Sequence, residues 1–184
     1  FGVAGEGTGE VKGQGRARVF GLAGEGSKFV YVFDRSGSLT TKFRLQAKGS
    51  QVVRELTPLE LAKAELNRSL QELIPENQFQ IVFYNMRPLV FGDTPYVREL
   101  MPATDELKAE AERFIADMPG QGGTNHLGAL LTALKLEPEV IFLITDGERK
   151  DDLAGSHVRS LAKICERENI TIHLVHFGAK PRPN

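Results

Sequence analysis

The 184-residue sequence has a single cysteine, no long apolar run and almost no charge imbalance, and each shortage closes off a class of protein. Cys165 alone leaves no partner for an intrachain disulfide. It sits in the run Val158, Leu161, Ala162, Cys165, the spacing of a buried helix face, where apolar surroundings do not activate a thiolate. A structural thiol is expected. No stretch approaches the roughly 18 apolar residues of a membrane span, and no signal peptide is visible. The net charge of -1 gives no overall basic field for nucleic acid or an anionic membrane, and neither is expected as a partner. The 41% hydrophobic and 26% charged content is that of an ordinary globular protein, and the length suits one domain. Because the chain begins at Phe1 rather than Met, we expect a piece of a longer protein, which leaves targeting and anchoring unread.

Nine of the 19 glycines fall within residues 1 to 26, so residues 1–27 read as a flexible lead-in. Within it Phe1-Gly-Val-Ala-Gly-Glu-Gly7 recurs as Phe20-Gly-Leu-Ala-Gly-Glu-Gly26. One repeat is too little for a solenoid. Ala17 to Leu22 suits a short accessory strand at a sheet edge. No dinucleotide fingerprint is present, since the glycines lack the required strand before and helix after.

From Lys28 to Asn184 the pattern is that of a packed domain. Phe29-Val-Tyr-Val-Phe33, Phe79 to Tyr84, Val140 to Ile144 and Ile170 to Phe177 read as strands, the first a continuous apolar run buried on both faces and the third likewise buried. Arg87 to Phe91 follows Phe79–Tyr84 so closely that it must pair antiparallel. Thr57-Pro58-Leu59-Glu60 combines an N-cap, a proline at the first helical position and a capping-box glutamate. Further helices are predicted over 105–118, 125–136 and 153–168, while residues 39–56 read as a loop. Strands alternating with helices imply a doubly wound α/β fold: a mostly parallel sheet with helices on both faces.

Ligands of such folds bind beyond the carboxyl ends of the strands. Three polar clusters fall there: Asp34-Arg35-Ser36-Gly37-Ser38, Gly122-Gly123-Thr124-Asn125 and Thr145-Asp146-Gly147. Alternate residues of Asp-x-Ser-x-Ser can aim their oxygens at one point, with Gly37 allowing a sharp bend. Thr124 would add a hydroxyl from a second loop. Asp34 and Asp146 would supply negative charge, directly or through coordinated water. These are the donors of a hard cation such as Mg²⁺, with Mn²⁺ or Ca²⁺ as substitutes. Neutral ligands outnumber charged ones, so the cation stays electrophilic and an incoming carboxylate can complete its shell. Singly, each cluster also reads as a turn or helix cap.

Taken together, these three motifs resemble a von Willebrand factor A (VWA) domain with a complete metal-ion-dependent adhesion site (MIDAS), over about Lys28 to Gly178. The resemblance implies a sheet ordered 3-2-1-4-5 with one antiparallel edge strand. It implies that Ser36, Ser38 and Thr124 contact Mg²⁺ directly and that Asp34 and Asp146 often act through water. It also implies a bacterial adhesion-type protein of the cell envelope or exterior, whose partner is a protein or other ligand offering a carboxylate. Such domains usually continue into a further helix and strand, so this chain is expected to be truncated or one strand short.

Among the remaining residues, His126 suits a solvated first helical turn. His173 and His176 lie on opposite strand faces, against joint zinc binding. Arg35 reads as a surface arginine or a greeter of acidic ligand. The leading expectation is a binding module without enzymatic activity. A scaffold subunit with a structural metal is one alternative. Another is a phosphatase or phosphotransferase using Asp34, but Ser36 stands where a general acid is wanted and no P-loop occurs.

Overall fold

The computed structural model describes residues 15–46, 53–92, 99–147 and 153–177. Its strands are β1 (Gly15–Val19), β2 (Leu22–Gly26), β3 (Lys28–Asp34), β4 (Phe43–Gln46), β5 (Val53–Leu56), β6 (Gln78–Tyr84), β7 (Pro88–Val90), β8 (Met101–Pro102), β9 (Val140–Thr145) and β10 (Thr171–His176). The helices are α1 (Pro58–Glu72), α2 (Asp105–Asp117), α3 (His126–Leu134) and α4 (Gly155–Glu168), with a 3-10 turn over Gly37–Thr40.

The central sheet runs β10-β9-β3-β6-β7, with β8 also on β6. β3 lies parallel to β6 and β9, β9 parallel to β10, and β7 and β8 pair antiparallel with β6. This reproduces the expected 3-2-1-4-5 order and antiparallel edge. Alternation along the strands divides the core into two layers. Phe29, Tyr31, Phe33, Phe79, Phe83 and Phe142 meet α1 and α2 through Leu66, Leu70 and Ile115. Val30, Val32, Val82, Ile141 and Leu143 meet α3 and α4 through Ala129, Ala133 and Leu161. Phenylalanines thus concentrate in the first layer, while the second is mostly β-branched and aliphatic, with Tyr84 among it.

Local signals set the helix starts. Thr57 caps α1 in a full capping box, its hydroxyl accepting Glu60 N–H at 3.1 Å while Glu60 accepts Thr57 N–H at 2.7 Å. Among the described residues no helix is long and apolar enough to cross a membrane.

Two expectations are corrected. Residues 15–26 form an antiparallel hairpin that lies over a face of the sheet rather than at its edge. Phe20 and Gly21 carry φ of 49° and 82°, a two-residue turn matching the twist of its strands. Ala17 and Val19 are buried in the aromatic layer. Glycine favours this packing, because a Cβ at Gly24 would stand 2.6 Å from Val140 Cγ1. Residues 39–56 likewise are more than a loop: β4 and β5 pair antiparallel, with Arg44 bridging to Glu55 at 3.1 Å. The first copy of the glycine repeat, Phe1–Gly7, lies outside the described residues.

Candidate metal centre

β3 is the point from which the chain departs in both directions across the sheet, to β6 on one side and β9 on the other. Its last residue, Asp34, therefore stands where a ligand crevice belongs. The carboxylate is completely buried and held on both oxygens. Oδ1 accepts the Ser36 N–H at 2.8 Å, and Oδ2 accepts the Thr145 hydroxyl at 2.7 Å. Thr145 is the last residue of β9, so this second bond ties two strand ends together.

Ser36 is buried and Ser38 half-buried, their hydroxyls 3.0 Å apart. Ser36 precedes the 3-10 turn without capping it through its side chain. The glycine-rich loop comes alongside: Gly37 N–H donates to Gly122 O at 2.9 Å, and Gln121 N–H to Arg35 O at 2.7 Å. Thr124 follows on that loop, half-buried. The cap of α3 is Asn125, whose side chain accepts Gly128 N–H at 2.9 Å, so the Thr124 hydroxyl is not consumed there. Asp146 leaves β9 half-buried beside Thr145. All five residues thus reach one edge of the sheet, and direct bonds join Asp34 with Ser36 and Ser36 with Ser38. Thr124 makes no side-chain hydrogen bond among the described residues.

Several residues stand differently from their sequence reading. Gly37 has no left-handed backbone, and a Cβ there would meet the Gly122 backbone at ordinary distances, 3.6 Å from its O and 3.9 Å from its N. The glycine that the turn requires is Gly122, at φ 79°. His126 is buried, not solvated, because its Nδ1 hydrogen-bonds the Tyr84 hydroxyl at 2.9 Å beneath the loop. Arg35 is half-buried and turned to Pro119 O at 3.3 Å; burial lowers its pKa, and its Nε finds no hydrogen-bond partner among the described residues. His173 stacks on Phe142 while His176 crowds Gly147, on opposite faces as alternation requires. Cys165 is half-buried and burial raises its thiol pKa, which suits an inert thiol. Sequence reasoning placed Thr145 at this edge but missed its bond to Asp34, and it missed Asn85 altogether; both act through bonds to distant segments.

The donor set fits a hard divalent cation. Among the described residues no three His, Cys, Asp or Glu side chains gather into a group that could hold a metal ion. What converges is oxygen: hydroxyls beside a buried carboxylate. Asp34 has no cationic partner among the described residues, and a buried charge without compensation is costly. A bound cation would supply that compensation.

No family model matches the chain, and none of the curated proteins does. Solved structures do. A von Willebrand factor type A protein from Catenulispora acidiphila superposes with a TM-score of 0.62 at 19% identity, covering 83% of this chain and 33% of that one. An aerotolerance-related membrane protein from Bacteroides fragilis gives 0.57 at 19% identity, covering 82% and 67%. Proximal thread matrix protein 1 from the mussel byssus, with a zinc-occupied MIDAS motif, gives 0.52 at 19%, covering 82% and 35%. The chain thus spans about a third of the first and third of these proteins and two thirds of the second. At such identities the likeness is one of architecture: this chain has a VWA-like fold.

Proposed function

We propose that this chain is a metal-dependent binding module of the adhesion type. In this reading Mg²⁺ is held by the hydroxyls of Ser36, Ser38 and Thr124. Asp34 and Asp146 balance its charge directly or through water, and a carboxylate of a partner protein completes the shell. The observation that carries it is the fully buried Asp34 carboxylate, fixed from β9 and from its own turn beside two hydroxyls 3.0 Å apart. The zinc-occupied motif of the mussel protein supports a divalent ion in a fold of this kind. The membrane protein among the neighbours supports an envelope location. A doubly wound arrangement, with α1 and α2 on one face and α3 and α4 on the other, fits both core layers.

Binding is favoured over catalysis. Both oxygens of the buried Asp34 carboxylate accept hydrogen bonds, which blunts it as a nucleophile, and Ser36 supplies no general acid.

Thermal melting tests the metal. At an ion concentration a hundredfold above Kd, linkage gives about 2.7 kcal/mol. For a chain of this size that is a rise of roughly 5 to 10 °C. Mg²⁺ or Mn²⁺ should produce the rise in the wild type, and Asp34→Ala or Ser36→Ala should abolish it. A wild type indifferent to both ions would sink the assignment.

A further inference from the structure

We propose that Asn85 is a positioning residue that sets metal affinity by holding the Thr124 loop, an inference that rests on the metal reading above. Asn85 is the first residue after β6, beyond the strand's hydrogen-bonded run. Its Nδ2 donates to Gln121 O at 3.0 Å, and its Oδ1 accepts Arg87 N–H at 3.1 Å. Its backbone carbonyl accepts Asn125 N–H at 2.9 Å. One residue therefore grips the loop on both sides of Thr124.

The grip matters because of what the loop lacks. Gly120-Gln-Gly-Gly123 carries one side chain in four residues, so packing has little to hold and glycine gives the backbone wide freedom. Hydrogen bonds to neighbours must fix it. The Gln121 peptide is clamped between two strand exits, its N–H on Arg35 O and its carbonyl on Asn85 Nδ2. Gly122 takes its φ of 79° directly against the amide: a Cβ there would lie 3.2 Å from Asn85 Nδ2. Without the Asn85 side-chain donor the loop keeps its ties to the β3 exit and, through Asn125 N–H, to the Asn85 carbonyl, but the Gln121 carbonyl before Thr124 is released. The Thr124 hydroxyl must then be ordered at the expense of binding.

The sign of one substitution separates this role from simple electrostatics. Asn85→Asp keeps the acceptor for Arg87 N–H but turns a carboxylate oxygen toward the Gln121 carbonyl. Added negative charge near a cation site would tighten binding; a lost loop tie weakens it. Isothermal titration of Mn²⁺ or Mg²⁺ into the wild type, Asn85→Asp and Asn85→Ala is the test. Both variants should bind on the order of tenfold more weakly, the scale of supporting-group losses at metal sites. Their metal-free melting temperatures should stay within a few degrees of wild type, and amide exchange should quicken across 121–125. Unchanged affinity in either folded variant, or tighter binding by Asn85→Asp, would overturn the role of Asn85 while leaving the metal site standing. A wild type that binds neither ion would instead overturn the metal reading beneath it.

Discussion

The Thr145 hydroxyl stands between two parts of the candidate site, donating to Asp34 Oδ2 at 2.7 Å and accepting the Gly147 N–H at 3.0 Å. Thr145→Val keeps the shape and removes both bonds. The buried carboxylate would lose one of its two donors, at a cost of roughly 1–3 kcal/mol. Metal affinity should fall on the order of tenfold, since the ion's charge-balancing group is no longer oriented. Urea denaturation and metal titration would check the two effects, and wild-type values in both would show that the bond is incidental. At this scale the sequence displayed the site's chemistry but not its support. Asp34, Ser36 and Ser38 are legible because their spacing is local. The Thr145 partnership spans 111 residues, and the burial of His126 depends on Tyr84, 42 residues away.

Among the elements, the β1–β2 hairpin shows how composition misleads. Glycine density reads as a linker, yet in β2 the missing side chains let the strand lie flat on Val140 and Phe142. Gly24→Leu should therefore cost roughly 1–3 kcal/mol through overpacking, lowering the melting temperature by several degrees. Glu25→Ala, at an exposed position of the same strand, should change stability by about 0.5 kcal/mol or less. Equal effects of the two would mean that the hairpin does not rest on the sheet. The helices and central strands were legible for the opposite reason. A capping box, a proline at the first turn or an unbroken β-branched run acts within a few residues. The β4–β5 hairpin is marked only by the four-residue alternation of Phe43-Arg-Leu-Gln46, too short to stand out within a mixed polar stretch.

Across the whole molecule, stability carries the sum of these local environments, and pH exposes one of them. Burial against Phe142 lowers the pKa of His173 below the ordinary imidazole value near 6.5. Its folded pKa lies below its unfolded one, so the unfolded chain takes up the proton first as the medium acidifies. Stability is unaffected well above that value and is lost as pH falls below it. Denaturant melts at pH 7, 6 and 5 should show a shallower acid decline in His173→Gln than in wild type; identical slopes would refute the contribution. Taken as a whole, the sequence by itself determined the helices and the main strands of the central sheet, the α/β class and the oxygen-rich chemistry of three loops. Each of these is written in residues that are neighbours along the chain. Only the tertiary structure decided which loops support one another. Parallel pairing of β3 with β6 and β9 brings the exits of distant strands to one edge, and there Thr145 meets Asp34 and Asn85 meets the glycine loop. Those bonds follow from register and layer packing, which no single stretch of sequence encodes.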